Sequence, residues 1–91
     1  MNEQQFRQRL IEKGYGEGEY KEFMPNTDGP LHAHDFSAML YVVSGEFTLA
    51  REDDVTTYQP GEVCELTAGI KHTERTGDSG AGVIVGRKYS G

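Results

Sequence analysis

The residues with the clearest chemical potential are the three histidines of the chain, His32, His34 and His72. Side chains alternate faces along a strand, so His32 and His34 point the same way, about 6 to 7 Å apart. Two imidazoles at this spacing can chelate one ion, and His72 from a later strand would complete a three-nitrogen site with open positions. The pattern predicts a mononuclear metal centre, although an HxH pair alone also suits two surface histidines.

Glu74 stands two residues after His72 and therefore shares its face of the predicted strand. Two functional roles are open for its carboxylate: a fourth metal ligand, or a general base beside the metal. The alternative is that the strand has left the interior by this point, with Glu74 solvated near Lys71 and Arg75. A Glu74→Gln substitution separates these possibilities, because it keeps the size of the side chain and removes its charge.

The elements that position these residues are predicted to be one helix followed by strands. Asn2 to Lys13 places Phe6, Leu10 and Ile11 on one stripe of a short amphipathic helix. After Gly14, turn residues separate short stretches rich in Val, Thr, Tyr, Phe and Leu, which favour strands. The predicted strands are residues 18–24, 31–36, 38–43, 46–51, 55–59, 62–66, 70–76 and 81–88. About eight short antiparallel strands fit a jelly roll or small barrel.

Two segments of the chain resemble the conserved motifs of one superfamily. Residues 30–46, PLHAHDFSAMLYVVSGE, resemble the first motif of the cupins, and residues 58–72, YQPGEVCELTAGIKH, resemble the second. The resemblance implies an all-β fold, the cupin double-stranded β-helix or jelly-roll barrel, preceded by a short N-terminal helix. We expect one cupin domain over residues 1–91, with the helix in 1–14 and the barrel in 18–88.

The resemblance also implies a metal held by first-motif histidines, a first-motif glutamate and the second-motif histidine. His32, His34 and His72 occupy the histidine positions, whereas Ala38 stands where the glutamate belongs. Three-histidine cupins are a known variant of this pattern. Glu74 is the candidate to replace the missing carboxylate. We expect one divalent transition metal, with Zn favoured after aerobic purification and Ni, Fe or Cu also acceptable to imidazole.

The composition excludes several classes of partner. Fifteen acidic residues against nine basic ones give a net charge of −6, and the basic residues are scattered. Without a basic stripe, binding to nucleic acid or to an anionic membrane surface is not expected. The sequence contains neither a ~20-residue apolar span nor a signal-peptide pattern, so a cytoplasmic location is expected. The lone Cys64 favours a reducing compartment and fits a small buried strand residue better than a nucleophile.

Two functions from different classes fit these residues. The first is a metal-dependent enzyme acting on a small molecule; the second is a ligand-binding or sensing module without an obligatory metal, and the fold alone does not choose. The strand through Met39, Tyr41 and Val43 is apolar on both faces, so either the helix or a second subunit must cover it. Because a 91-residue chain has little core, we predict a homodimer.

Overall fold

A computed structural model describes residues 1–89 of the 91-residue chain. The elements are α1 Glu3–Glu12, β1 Glu19–Phe23, β2 Phe36–Arg51, β3 Val55–Tyr58, β4 Val63–Leu66 and β5 His72–Tyr89. The predicted all-β barrel with an N-terminal helix is confirmed. The last two residues of the predicted 1–91 domain lie outside the described part. Within residues 1–89, no helix is long and apolar enough to span a membrane.

Two long antiparallel strands form the spine of the barrel. β2 and β5 pair from Phe36↔Tyr89 to Arg51↔His72. β1 pairs with the C-terminal half of β5, and β4 and β3 pair with the first and second halves of β2. The strand order is β1-β5-β2-β3, with β4 on β2. The residues of the candidate centre therefore lie at the end of the spine where β5 begins.

The predicted strand breaks at Ser44-Gly45 and at residues 77–80 are wrong, because β2 and β5 each run through them as one strand. Register shifts between Val42 and Ser44, and between Gly45 and Phe47, absorb extra residues as β-bulges while the pairing continues. Gly45 has φ +74°, and a Cβ there would overlap the carbonyl oxygen of Gly80. Glycine is needed here so that two bent strands can pass closely.

The bulges also change which residues point inward. Before them, even-numbered residues of β2 are buried in the interior, and after them odd-numbered residues are. The interior cluster comprises Ala38, Leu40, Val42, Phe47, Leu49, Cys64, Leu66, Ala81, Val83 and Val85. Alternation therefore predicts side-chain direction within each half of the spine but not across its bend.

The helix covers the outer face of β2. Asn2 caps it, accepting a hydrogen bond from the Gln5 backbone N–H at 2.8 Å while the Gln5 side chain accepts from the Asn2 backbone. Phe6 and Leu10 are fully buried against Met39 and Ile84, and the Phe6 ring stacks on Tyr41 at 5.3 Å. Ile11, predicted on the same stripe, is instead 62% exposed. The helix covers Met39 and Tyr41 of the face on which we based the homodimer, whereas Val43 is 38% exposed. The homodimer stays a prediction with most of that support removed.

Candidate metal centre

The segment that carries His32 and His34 is extended but is not the strand predicted over residues 31–36. It makes an isolated antiparallel bridge, in which His32 and His72 exchange backbone hydrogen bonds of 3.0 and 2.9 Å. Further along, the carbonyl oxygen of His34 accepts from the Gly69 N–H at 2.9 Å, and continuous pairing starts only at Phe36. The two rings still lie close together, edge to face, with centroids 4.7 Å apart.

His72 and Glu74, at the start of β5, complete the group. The His72 ring is fully buried, 4.4 Å from the His32 centroid and 5.1 Å from that of His34. Glu74 lines the cavity with only 20% of its side chain exposed, which favours an interior position over a solvated carboxylate. Its neighbour Arg75 points away and pairs with Asp28 at 3.3 Å. The structure thus brings all four predicted residues together.

Backbone hydrogen bonds fix the orientation of two of the three rings. His32 Nδ1 lies 2.8 Å from the Pro30 carbonyl oxygen, and His72 Nδ1 lies 2.9 Å from that of Ile70. A carbonyl oxygen can only accept, so each Nδ1 must donate, and a neutral ring then keeps a lone pair on Nε2. Backbone carbonyl groups hold metal-binding histidines in this same arrangement.

The free lone pairs face a carboxylate rather than a donor. Glu74 Oε1 lies 3.7 Å from His32 Nε2, and Glu74 Oε2 lies 4.0 Å from His72 Nε2. His72 Nε2 is buried and has no hydrogen-bond partner within the described residues. An unpaired buried polar atom is costly, and here it faces another acceptor. A cation or a proton between these atoms would relieve the cost.

The electrostatic environment keeps His34 neutral. Burial lowers the pKa of His34 below its usual value of 6.5, and the neighbouring His32 and His72 lower it further. Lys21 acts in the same direction, whereas the Glu74 carboxylate opposes them. A lowered pKa means that the imidazole stays unprotonated at pH 7, the state that binds metal ions.

The donor set fits a transition metal in number and chemistry. One atom from each of His32, His34, His72 and Glu74 can be chosen so that all four lie within 4.8 Å of one another. Bonds of ~2.1 Å to a tetrahedral zinc would separate neighbouring ligand atoms by ~3.4 Å, so small side-chain rotations would suffice. Imidazole nitrogens suit Zn, Cu, Fe and Ni, whereas Ca and Mg prefer oxygen ligands.

A cavity of about 150 Å³ opens beside the centre. Ala38, at the position where the family resemblance implied a glutamate, contributes only a methyl group to its wall, so Glu74 supplies a carboxylate from a different strand. The cavity is lined by Lys21, Phe23, His32, His34, Phe36, Ala38, Leu40, Leu49, Leu66, Glu74, Val83, Val85 and Arg87. The wall is thus mostly apolar, with His32, His34 and Glu74 as polar groups and basic groups from β1 and β5.

The other residues weighed in the sequence fall outside the centre. Cys64 is buried on β4, and burial raises the pKa of its thiol to about 12, so the thiol form persists at pH 7. Asp35 is exposed and lies outside the four-residue group, as its alternation predicted. Sequence reasoning missed Lys21 and Arg87 in the cavity wall, and also Phe36, whose ring stacks on His34 at 4.6 Å.

Comparison with known proteins gives one family and several structures. The profile of the Cupin_2 family, described as a cupin domain, matches residues 19–85. Among curated proteins, none matches the chain. A structure of unknown function from Rhizobium leguminosarum aligns at 19% identity and TM-score 0.72, covering 79% of this chain and 67% of that one. An RmlC-like cupin from Shewanella frigidimarina aligns at 22% identity and TM-score 0.69, covering 81% and 66%.

A third structure, the polyketide cyclase RemF from Streptomyces resistomycificus, aligns at 26% identity and TM-score 0.62. The alignment covers 75% of this chain and 51% of RemF. The chain therefore spans about two thirds of the length of the first two structures and about half of the third. Their shared feature with this chain is the barrel.

Proposed function

Because the chain belongs to the Cupin_2 family of cupin domains, we propose that it binds one divalent transition metal and acts on a small molecule beside it. His32, His34 and His72 would hold the metal, with Glu74 as the fourth group. One observation carries the proposal: Glu74 oxygens face the His32 and His72 Nε2 atoms at 3.7 and 4.0 Å with no donor between them. A cation resolves this opposition of acceptors.

Each residue has a definite part in this proposal. A metal bound here would act as a Lewis acid toward an oxygen or nitrogen atom of the ligand. The carbonyl groups of Pro30 and Ile70 hold the His32 and His72 rings with Nε2 inward. Glu74, being partly exposed to the cavity, could accept a proton from a molecule placed there, which is the role of a general base.

The polar end of the cavity supports an enzyme. Glu74 lines the same cavity as two of the imidazoles, so a reacting group could meet a carboxylate and a metal together. A structural relative, RemF, is named a polyketide cyclase, which shows that a related barrel is used in catalysis. Zn, Ni, Fe and Cu all suit the donor atoms of this site.

A second candidate function is a ligand-binding or sensing module, and the apolar wall of the cavity favours it. Eight of the lining residues are apolar, and they would hold a ligand without reacting with it. The two candidates differ in the fate of the bound molecule. A ligand recovered unchanged, by mass spectrometry, after long incubation with metal-loaded protein indicates sensing, whereas its conversion in a Glu74-dependent manner indicates an enzyme.

Elemental analysis tests the metal itself. Tag-free protein should contain close to one equivalent of transition metal per chain after reconstitution, and a His32→Ala, His34→Ala double variant should retain less than a tenth of it. Circular dichroism shows whether the double variant is folded. Glu17→Gln is a matched control, because Glu17 is exposed and distant in sequence from the centre. Equal metal content in the wild type and the folded double variant would overturn the proposal.

A further inference from the structure

Two basic residues line the cavity beside the candidate centre, Lys21 with an exposed side chain and Arg87 with a partly buried one. Directly paired residues of antiparallel strands face the same side of a sheet. Lys21 pairs with Val83, which belongs to the interior cluster, and Arg87 pairs with Ala38, which lines the cavity. Both side chains line the cavity that holds the histidine centre. Among the lining residues these two cations stand beside one carboxylate, Glu74, although the whole chain has a net charge of −6.

The two cations differ in how they are neutralised. Arg87 Nη1 lies 3.2 Å from Glu19 Oε2, and its guanidinium sits 5.6 Å from the centroid of the Phe36 ring. Lys21 Nζ sits 4.9 Å from the centroid of the Phe23 ring, and within residues 1–89 no carboxylate lies within 4.0 Å of it. Phe23 and Phe36 both line the cavity. Lys21 is thus an exposed cation over the Phe23 ring, without an ion-pair partner among the described residues.

The size and lining of the cavity define the rest of the ligand. A cavity of about 150 Å³ is comparable to engineered apolar cavities that accept benzene. Leu40, Leu49, Val83 and Val85 line it with aliphatic surface. A small aromatic or aliphatic body would therefore fit this space.

We propose that the cavity takes a small organic monocarboxylate, whose apolar body contacts the aliphatic wall and whose carboxylate pairs with Lys21 at the mouth. This proposal names the ligand class of the proposed function. It rests on that function only if the bound ligand also reacts at the metal. The body would also lie beside His32, His34 and Glu74, which line the same cavity. Lys21 is a specificity-determining residue in this arrangement, because it would favour an anion over a neutral molecule of the same shape.

Benzoate and benzamide test the charge requirement, because they have nearly the same shape and differ in charge. Isothermal titration at low ionic strength should show benzoate binding roughly tenfold tighter than benzamide. Lys21→Met should weaken benzoate by roughly three- to tenfold and leave benzamide unchanged, whereas Lys21→Arg keeps the charge and should retain the preference. Arg9→Met is the control, because it removes one positive charge from the exposed helix surface.

The titrations are run on zinc-loaded and on chelator-treated protein. Failure of the proposed ligand class can then be distinguished from failure of the proposed metal site. A Lys21-dependent preference for benzoate in both forms supports the ligand class, even if the protein proves to bind no metal. Benzoate binding that requires zinc but ignores Lys21→Met would mean direct coordination and would overturn the role of Lys21. Equal binding of benzoate and benzamide, or binding of neither, would overturn the ligand class whatever the metal content.

Discussion

Replacing Glu74 with Gln should weaken metal binding and reduce the stability that the metal adds. The amide keeps the size of the side chain but removes a negative charge that lies 3.7 Å from His32 Nε2 and 4.0 Å from His72 Nε2. Loss of a ligand or of a group orienting one lowers metal affinity by about 10- to 100-fold. With metal in excess of both dissociation constants, the linked loss of stability is about 1.4 to 2.8 kcal/mol.

This loss is measurable as a melting temperature. In a domain of this size each kcal/mol shifts Tm by about 4 to 8 °C, so the metal-induced rise in Tm should shrink by roughly 6 to 22 °C. Scanning calorimetry of metal-free protein titrated with zinc gives the rise for the wild type, Glu74→Gln and the control Glu17→Gln. The control should behave as the wild type. An unchanged rise in Glu74→Gln, with unchanged pH dependence and ligand turnover, would leave a plain three-histidine site and refute the reasoning.

Three further results are expected, the first from the lowered pKa of His34. As pH falls through 6.5, His34 in the unfolded chain binds a proton before His34 in the folded protein does, so metal-free protein should have a lower urea midpoint at pH 5.5 than at 7.5. Equal midpoints would contradict this. Because the Glu74 carboxylate raises the pKa of His34, NMR titration should show a still lower His34 pKa in Glu74→Gln. Gly45→Ala should cost roughly 2 to 5 kcal/mol in urea unfolding, but Gly16→Ala, which has open space, only about 1 to 2. Phe6→Ala should cost about 3 to 5 kcal/mol, and a cost below 1 would mean that the helix contributes little.

The placement of the site residues could be predicted because it depends on local geometry. His32 and His34, and likewise His72 and Glu74, are each two residues apart in extended backbone, where alternation alone puts them on one side. The isolated bridge between His32 and His72 then brings the two pairs together. The resemblance to the family motifs predicted that His32, His34 and His72 belong to one site. The metal itself stays a prediction.

The number of strands could not be predicted, because a glycine in a strand pattern can either end the strand or form a bulge within it. Ser44-Gly45 could end a strand or occupy a bulge, and the partner strand decides between them. Here Gly80 passes close enough to require glycine at position 45. The basic residues of the cavity escaped prediction for a related reason. The direction of Lys21 follows from its register with Val83, more than sixty residues later in the chain.

The long pairing of β2 with β5 has a consequence for how fast the chain folds. Arg51 and His72 are 21 residues apart, whereas Phe36 and Tyr89 at the other end are 53 apart. Loop closure is less costly for the shorter separation, and non-local pairing of this kind slows folding to milliseconds or longer. We expect pairing of the two strands to begin at the Arg51–His72 end and to extend along them. The end of the barrel that carries His72 would therefore form before the rest. A higher φ-value for Leu49→Val than for Val85→Ala would support this order, and equal values would contradict it.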